Sequence, residues 1–349
     1  MSIVILQLPI VKRKTEIRPR KCRYCQGGIL QRWGKVGKPV RDSRYRRVVV
    51  YRYRCCSCHR TFRHYPEGVD RADQTQRLRK LAAIYWVLGM SLRSVAIALT
   101  PFGVRLSHMT VWRDLQAQTD HLQRRRRWQP VRVLGLDGAY VQGWGKRKHP
   151  VLVAVDLGNG QPVAIGYIDE YNPQAVRRWL EPIVQRLGVS VIVTDDLASF
   201  RSVAEKLGLE HQVCQFHVRR WVGRTLRELK ERLPRDWLWV LEEIKSLLEE
   251  LPPEGSRRLY ELWKQIPERR VGQGQPLSSL SQLRALLIRL SEHWHSYRVF
   301  DWDKDVPWTN NGTERAIGRM KMRSRTVRGY KSWPGMLAGL TLAGSGTAW

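Results

Sequence analysis

At Val131 the spacing of apolar residues changes, and that change limits what the chain can fold into more than any other feature. Val131-Arg-Val-Leu-Gly-Leu-Asp137 reads as a buried strand. His149 to Leu157 and Gln161 to Ile168 read as a hairpin joined at Gly158-Asn-Gly160, where residues that tolerate positive φ make a tight turn. Then the pattern alternates. An amphipathic helix is predicted over Pro173 to Leu187, a strand over Val189 to Thr194, a helix over Ser199 to Leu207 and a short strand over His211 to Cys214. Three leading strands followed by strand-helix-strand units predict an α/β layer with a mixed sheet.

Ahead of that layer stand two smaller blocks. Cys22-Arg-Tyr-Cys25 and Cys55-Cys-Ser-Cys58 supply four thiolates in two Cys-x-x-Cys knuckles, the ligand set that one structural Zn²⁺ takes in a tetrahedron. Between them, Arg44 to Arg54 is rich in β-branched and aromatic residues, as the hairpin of a zinc ribbon over residues 1–70 would be. Cys56 in place of Cys55 is the alternative fourth ligand. Arg44 and Arg46 are candidate DNA phosphate contacts on this basic strand. Residues 71–129 read as three helices. Leu78, Leu81, Ala82, Tyr85 and Leu88 recur at helical spacing, Ser91 caps a second helix, and Ser107 caps a third that carries His108, Thr110 and Arg113. A tight turn between short helices predicts a helix-turn-helix that presents those three residues to a major groove; a plain three-helix core is the other reading.

The charge narrows the partner. The 349 residues include 62 Lys and Arg against 31 Asp and Glu, a net charge of +31, which favours a polyanion, and nucleic acid first. No stretch approaches the roughly 20 apolar residues that span a bilayer, and the apolar start Ile3 to Ile10 precedes its basic cluster, the reverse of a signal peptide. The expected location is the cytosol. Five of the six cysteines fall between residues 22 and 58, which suits metal better than a disulfide scaffold.

Acidic residues are scarce, so their placement is informative. Asp137 ends the first strand of the layer and Asp195 follows Val189 to Thr194, so neighbouring strands would bring both to one rim. Adjacent Asp196 competes, but side chains alternate along a strand and only one of the two can join Asp137. Glu314 opens the helix of Asn311-Gly-Thr-Glu-Arg-Ala-Ile-Gly-Arg-Met-Lys-Met-Arg323. With Asn311 as N-cap, Glu314 three residues on is either a capping partner or a third acid. From Arg315 to Lys331 there are seven basic residues and no acid, so Arg315, Arg319, Lys321, Arg323, Arg325 and Lys331 are candidate DNA contacts. Three carboxylates at one rim suit two Mg²⁺ (or Mn²⁺) ions and in-line phosphoryl transfer. Asp156 reads as a turn residue, and Asp301 to Asp305 lacks the glycine and glutamate of a calcium loop. Cys214-Gln-Phe-His217, just after a core strand, reads either as an accessory to the site or as a buried thiol and a satisfied histidine.

Residues 218–305 are mostly helical and read as an insertion, with Trp237, Trp239, Trp263 and Trp294 as packing residues more than a base-stacking platform. The layer then resumes over 306–349, completing 130–217. The strand and helix order is that of a ribonuclease H-like α/β core, here with a helical insertion and a zinc ribbon and helix-turn-helix in front.

These residues resemble the acidic-triad transposases of bacterial insertion sequences, including the mutator-like groups. Asp137-Gly-Ala-Tyr-Val141 looks like the first-aspartate motif and Val193-Thr-Asp-Asp-Leu-Ala-Ser-Phe200 like the second, in which the aromatic five residues on favours Asp195. Asn311 to Arg323 followed by Gly329-Tyr-Lys331 is similar to the third-acid helix, with Lys321 at the family's basic position, and Cys214-Gln-Phe-His217 to the motif that follows the second aspartate. The resemblance spans roughly residues 130 to 340. It implies cleavage at the terminal inverted repeats, joining of the freed 3′-hydroxyl to target DNA, Asp137 bridging two metals that Asp195 and Glu314 complete, and a homodimer or larger assembly. A DNA-binding regulator without catalysis and a metal-dependent nuclease are the rival readings.

Overall fold

The computed structural model describes residues 7–15, 17–126, 130–268, 278–326 and 329–346. Most of the apolar start, the linker residues Trp128 and Gln129 and most of the polar loop after Gly272 lie outside them. The chain forms two compact units, Met1–Arg124 with Met320–Trp349, and Arg125–Arg319.

In the first unit, β1 (Leu30–Pro39), β2 (Arg47–Cys55) and β3 (Thr61–His64) form an antiparallel sheet in that order. A bulge between Arg32 and Gly34 shifts the register, and the buried positions on β2 shift with it, from Val48 and Val50 to Tyr53 and Cys55. Two small cores result. One gathers Val11, Val40, Val48, Val50 and Val69, the other Cys22, Leu30, Tyr53, Cys55 and Phe62.

The helices α1 (Gln76–Val87), α2 (Leu92–Ala98) and α3 (His108–Arg126) follow. Ser91 caps α2 by accepting from the Ser94 N–H, and Ser107 accepts from the Thr110 N–H at 3.1 Å. Fully buried Asp42 ties the ribbon to α1: it accepts from the Thr75 hydroxyl at 2.6 Å and from Arg77 Nη2 at 2.5 Å. The apolar α12 (Trp333–Gly344) packs on α1.

The second unit holds a five-stranded sheet of order β6-β5-β4-β7-β8. Its strands are β4 (Val133–Gln142), β5 (Lys148–Asp156), β6 (Gln161–Gly166), β7 (Val191–Thr194) and β8 (Glu210–Val213). The first three are antiparallel, as hairpin connections require, and β7 and β8 are parallel to β4 because each is reached through a helix. This is the mixed sheet of a ribonuclease H-like core. Asp156 is a turn residue, accepting from the Gly158 N–H at 2.9 Å.

Helices α4 (Pro173–Leu187) and α5 (Ala198–Leu207) cover one face, burying Leu134, Leu136 and Ile192. The opposite face of the sheet carries Val133, Val191 and Val193 with Val299 and Val306. Helices α6 (Gln215–Lys230), α7 (Leu238–Glu250), α8 (Gly255–Gln265) and α9 (Ser279–Glu292) build a separate core in which Trp294 is buried. Trp237 and Trp263 pack against that core, whereas Trp239 is exposed. The short α10 (Val299–Trp302) leads to α11 (Asn311–Thr326). Among the described residues no helix is long and apolar enough to cross a membrane.

The start of α11 lies against β4 because Gly135 has no side chain. A Cβ there would come within 2.1 Å of Thr313 Oγ1 and 2.7 Å of Asn310 Oδ1. Overpacking of this kind costs about 1–3 kcal/mol. Gly135→Ala is therefore expected to lower the free energy of unfolding, measured by urea titration, by that amount, whereas Gly160→Ala, where a Cβ meets nothing within 4 Å, lowers it less.

Candidate active site

Alternation along two adjacent strands decides which acids meet. Leu134 and Leu136 face α4 and α5, so Gly135 and Asp137 face the other way; on β7, Ile192 faces those helices while Val191 and Val193 do not. Gly135 pairs with Val193, and two positions beyond each along the chain stand Asp137 and Asp195, the latter just past the end of β7. Both carboxylates thus belong to one face.

Asp196 is turned away. Its side chain is 3% exposed and bonds Arg201 on α5 and Arg289 on α9, the latter at 2.6 Å. Two guanidiniums satisfy it where it stands.

Glu314 reaches the same face through Asn310. The expected N-cap was Asn311, but α11 begins at Asn311 and the cap is Asn310, one residue earlier. Its carbonyl accepts from the N–H groups of Thr313 and Glu314 at 3.0 and 3.1 Å, its amide donates to the Leu136 carbonyl at 2.8 Å, and its side-chain oxygen accepts from the Thr313 hydroxyl at 2.6 Å. That shift puts Glu314 a place beyond the capping-box position. Its carboxylate goes elsewhere, to His217.

His217 stands in the first turn of α6. Its Nε2 lies 3.1 Å from Glu314 Oε1 and 3.3 Å from Asp195 Oδ1, so one imidazole bridges two acids. Cys214 is buried, and its Sγ accepts the Asn310 N–H at 3.3 Å. Burial pushes its thiol pKa up. A metal-ligating atom of Cys214, of His217 and of Glu314 all lie within 4.8 Å of one another.

One acid was missed in the sequence. Glu170, in the loop before α4, holds its carboxylate over Gly138, where a Cβ would lie 2.2 Å from Oε2. The available signal was the Asp169-Glu170 pair just after the third strand of a chain poor in acids. Burial first, then the charges of Asp195 and Glu170, push the Asp137 carboxyl up to about 7. Asp195 is raised too, by burial foremost, with His217 opposing.

The four cysteines converge as the zinc-ribbon reading requires. Cys22 and Cys58 have Sγ atoms 3.7 Å apart, and Cys25 and Cys55 3.5 Å. Cys55 is buried within the group and Cys56 is exposed, which removes the alternative ligand. N–H groups of Cys58 and Ser57 draw the Cys55 thiol down to about 6. Cys25 is held up at about 12 by its thiol neighbours, against the Gly27 N–H. Four thiols this close fit one Zn²⁺, whose charge is what lets all of them ionise together.

The basic candidates divide. Arg44, His108, Arg113, Arg315, Lys321, Arg325 and Lys331 are exposed, and Thr110 is half-buried. Arg46, also exposed, donates to the Asp42 carbonyl at 3.0 Å and to that of Phe102 at 3.5 Å, and Arg319 to the Gly160 carbonyl at 3.2 Å. Arg323 is a correction. Expected at a phosphate, it is 2% exposed, stacks 4.3 Å from the Trp86 ring centroid and bonds Thr326 Oγ1 at 2.7 Å. It holds its own unit together.

Residues 167–336 match the family model described as Transposase IS66 family. The matched stretch includes Asp195, Cys214, His217, Glu314 and Lys321, and bears out the resemblance to insertion-sequence transposases drawn from those motifs. The fold is similar to three solved structures. The catalytic core domain of BIV integrase is 18% identical, with 46% of this chain and 95% of that chain covered and a TM-score of 0.20. The Drosophila P element transposase strand transfer complex is 10% identical, with coverage of 75% and 77% and a TM-score of 0.29. The simian T-cell lymphotropic virus intasome in complex with PP2A regulatory subunit B56 gamma is 11% identical, with coverage of 61% and 73% and a TM-score of 0.21. No curated protein matches the chain.

Two predictions follow from the electrostatics of these groups. A carboxyl raised from 3.8 to about 7 binds its proton more tightly in the folded chain, so its stabilising protonation is lost as pH rises from about 4 through about 7. In magnesium-free buffer at about pH 8, Asp137→Asn should be more stable than wild type by about 1–3 kcal/mol in urea unfolding, at one pKa unit per about 1.4 kcal/mol and with relaxation allowed for. The gap should narrow towards about pH 5; a variant no more stable than wild type at either pH would contradict the assignment. For the cysteines, elemental analysis of purified protein should find about one zinc per chain. Cys25→Ser with Cys58→Ser should lose it, and Cys56→Ser should keep it.

Proposed function

We propose that this protein is a transposase that binds the ends of an insertion sequence, cuts them with water and joins the freed 3′-hydroxyl to target DNA. The observation that carries the reading is the convergence of Asp195 and Glu314 on one histidine, on the same sheet face as Asp137 and with Asp196 withdrawn into an arginine pair. Asp137, Asp195 and Glu314 are the catalytic acids, and their oxygens would hold two Mg²⁺ or Mn²⁺ ions. Such ions, when bound, promote in-line displacement at phosphorus. In the first step a water oxygen bonds to phosphorus and the P–O3′ bond breaks, leaving a 3′-hydroxyl. In the second that hydroxyl attacks a target phosphodiester and releases a new 3′-hydroxyl.

What the chain itself contributes is placement. Asp137 and Asp195 are fixed by strands, and Glu314 by the Asn310 cap. His217, as a donor between Asp195 and Glu314, keeps those acids from repelling one another before ions and DNA arrive. Arg315 holds phosphates near the site, with Arg319 beside it, and Lys321, Arg325 and Lys331 are further DNA contacts. The ribbon (1–70, with Arg44 and Arg46) and the helix-turn-helix (71–129, with His108, Thr110 and Arg113) bind the terminal repeats. The core comprises 130–217 and the start of the 306–349 segment around the insertion 218–305; contrary to the sequence-based expectation, residues 320–349 pack with the ribbon and the three helices. Two ends must be held together, so the working form is a homodimer or larger. It acts on nucleoid DNA in the cytoplasm.

The test is an end-cleavage and joining assay with Mg²⁺ and labelled ends from the flanks of the protein's own gene. Wild type should give joined products. Glu314→Gln should reduce them at least roughly 1000-fold, since removal of a group that acts only in the transition state costs that order of rate. Cutting without joining would indicate a nuclease. Tight, metal-independent end binding with no product from wild type would indicate a regulator.

A further inference from the structure

Beside the acids, the surface carries two large exposed aromatic rings. Phe216 and Trp308 are each 53% exposed. Neither is remote from the site. The Phe216 ring stands edge-on to the His217 ring, with centroids 5.6 Å apart, and His217 touches Asp195 and Glu314. Trp308 is fixed to the start of α6 by its carbonyl, which accepts the Gln215 N–H at 3.0 Å, and it lies two residues before the Asn310 cap. The Arg219 guanidinium sits 6.0 Å from its ring.

Exposing this much aromatic surface is unfavourable unless something covers it. The surroundings say what does. From Gln215 to Arg227, α6 contains no acid and presents exposed Arg219, Arg220, Arg224 and Arg227. Phe216, Arg220 and Arg227 lie along one stripe of the helix, at spacings of four and seven residues, with Gly223 between the two arginines leaving that stripe low. Aromatic faces followed by a row of guanidiniums match a single DNA strand, with bases on the rings and phosphates on the arginines.

We infer that Phe216 and Trp308 form a stacking platform for an unpaired nucleobase next to the scissile phosphate, and that the exposed arginines of α6 carry the strand leading away from it. The inference rests on the transposase reading for the identity of the DNA, but the platform itself is a claim about single-stranded DNA. Its role in the reaction is to hold open the end of the duplex. Water and ions then reach a phosphate that pairing would otherwise keep in the helical stack. The two residues touch the substrate and no reacting atom.

The test has a binding arm and a reaction arm. In the first, a short single-stranded oligonucleotide containing 2-aminopurine is titrated with the full chain, with Ca²⁺ in place of Mg²⁺. Wild type should quench the probe at saturation, because stacking on an aromatic ring quenches it. Phe216→Ala with Trp308→Ala should leave the probe bright and bind about tenfold or more weakly, the order expected for one lost base–ring stack. Trp308→Phe should retain the quenching. Arg220→Ala should weaken binding in a salt-dependent way without altering the quenching at saturation.

In the reaction arm, the double variant should cut fully paired ends about tenfold more slowly than wild type, and ends with the flanking nucleotides already unpaired at nearly the wild-type rate. Both side chains are solvent-exposed, so thermal melting of the variants should match wild type and loss of folding is separable. Undiminished quenching by the double variant, or no quenching by wild type, overturns the platform whatever the reaction arm gives. Absence of product from wild type on every substrate, with quenching intact, counts against transposition and leaves the platform standing.

Discussion

Asn310 is the contact on which the second unit's arrangement depends. One residue joins three pieces of chain: the β4 backbone through Leu136, the α6 start through the Cys214 sulfur, and the first turn of α11 through Thr313 and Glu314. It is fully buried, so each of these bonds is made away from water, where an unmade partner costs about 1–3 kcal/mol. The catalytic candidates come from β4, the end of β7 and α11, with His217 from α6. None of those elements is next to all the others in sequence, and the asparagine is what fixes the last two against the first. Gly135 makes the approach possible by leaving space for the Asn310 and Thr313 side chains.

That fixed geometry carries an electrostatic cost. Asp137, Asp195, Glu314 and Glu170 are gathered in a half-buried site, and burial alone raises the pKa values of the two aspartates. Repulsion among like charges adds to it. The imidazole of His217 offsets part of this by lying between Asp195 and Glu314. A cation bound among these acids would relieve the repulsion that His217 offsets only in part. Asp196 shows the contrast. With Arg201 and Arg289 bonded to it, the same residue type one position on is a structural ion pair.

Much of this was legible in the sequence because it depends on local period and spacing. Strand alternation limited the site to one of Asp195 and Asp196, the aromatic Phe200 of the family motif favoured Asp195, and Gly158-Asn-Gly160 marked its hairpin. The helix over Pro173 to Leu187 was legible from its amphipathic spacing, and the doubled Cys-x-x-Cys foretold its cluster. The illegible parts are those set by distant partners. The cap falls on Asn310 and not on Asn311 because Leu136, 174 residues earlier, offers its carbonyl to that side chain. Arg323 looked like one more cation in a basic helix, yet Trp86 supplies a ring for it from far along the chain. Glu170 carries only a weak local signal, an acid pair after a strand, and it is the fold that brings it over Gly138.

The excess of positive charge reads differently once these partners are known. Some arginines are structural, as Arg77 with Asp42, Arg201 and Arg289 with Asp196, and Arg323 on Trp86 show. Subtracting such residues does not neutralise the chain, because most of them are matched by the few acids available and so remove charge of both signs. What remains is exposed and mostly unmatched, and it is concentrated on particular faces, the acid-free stretch of α6 among them. A surface of that kind repels its own copies until a polyanion covers it.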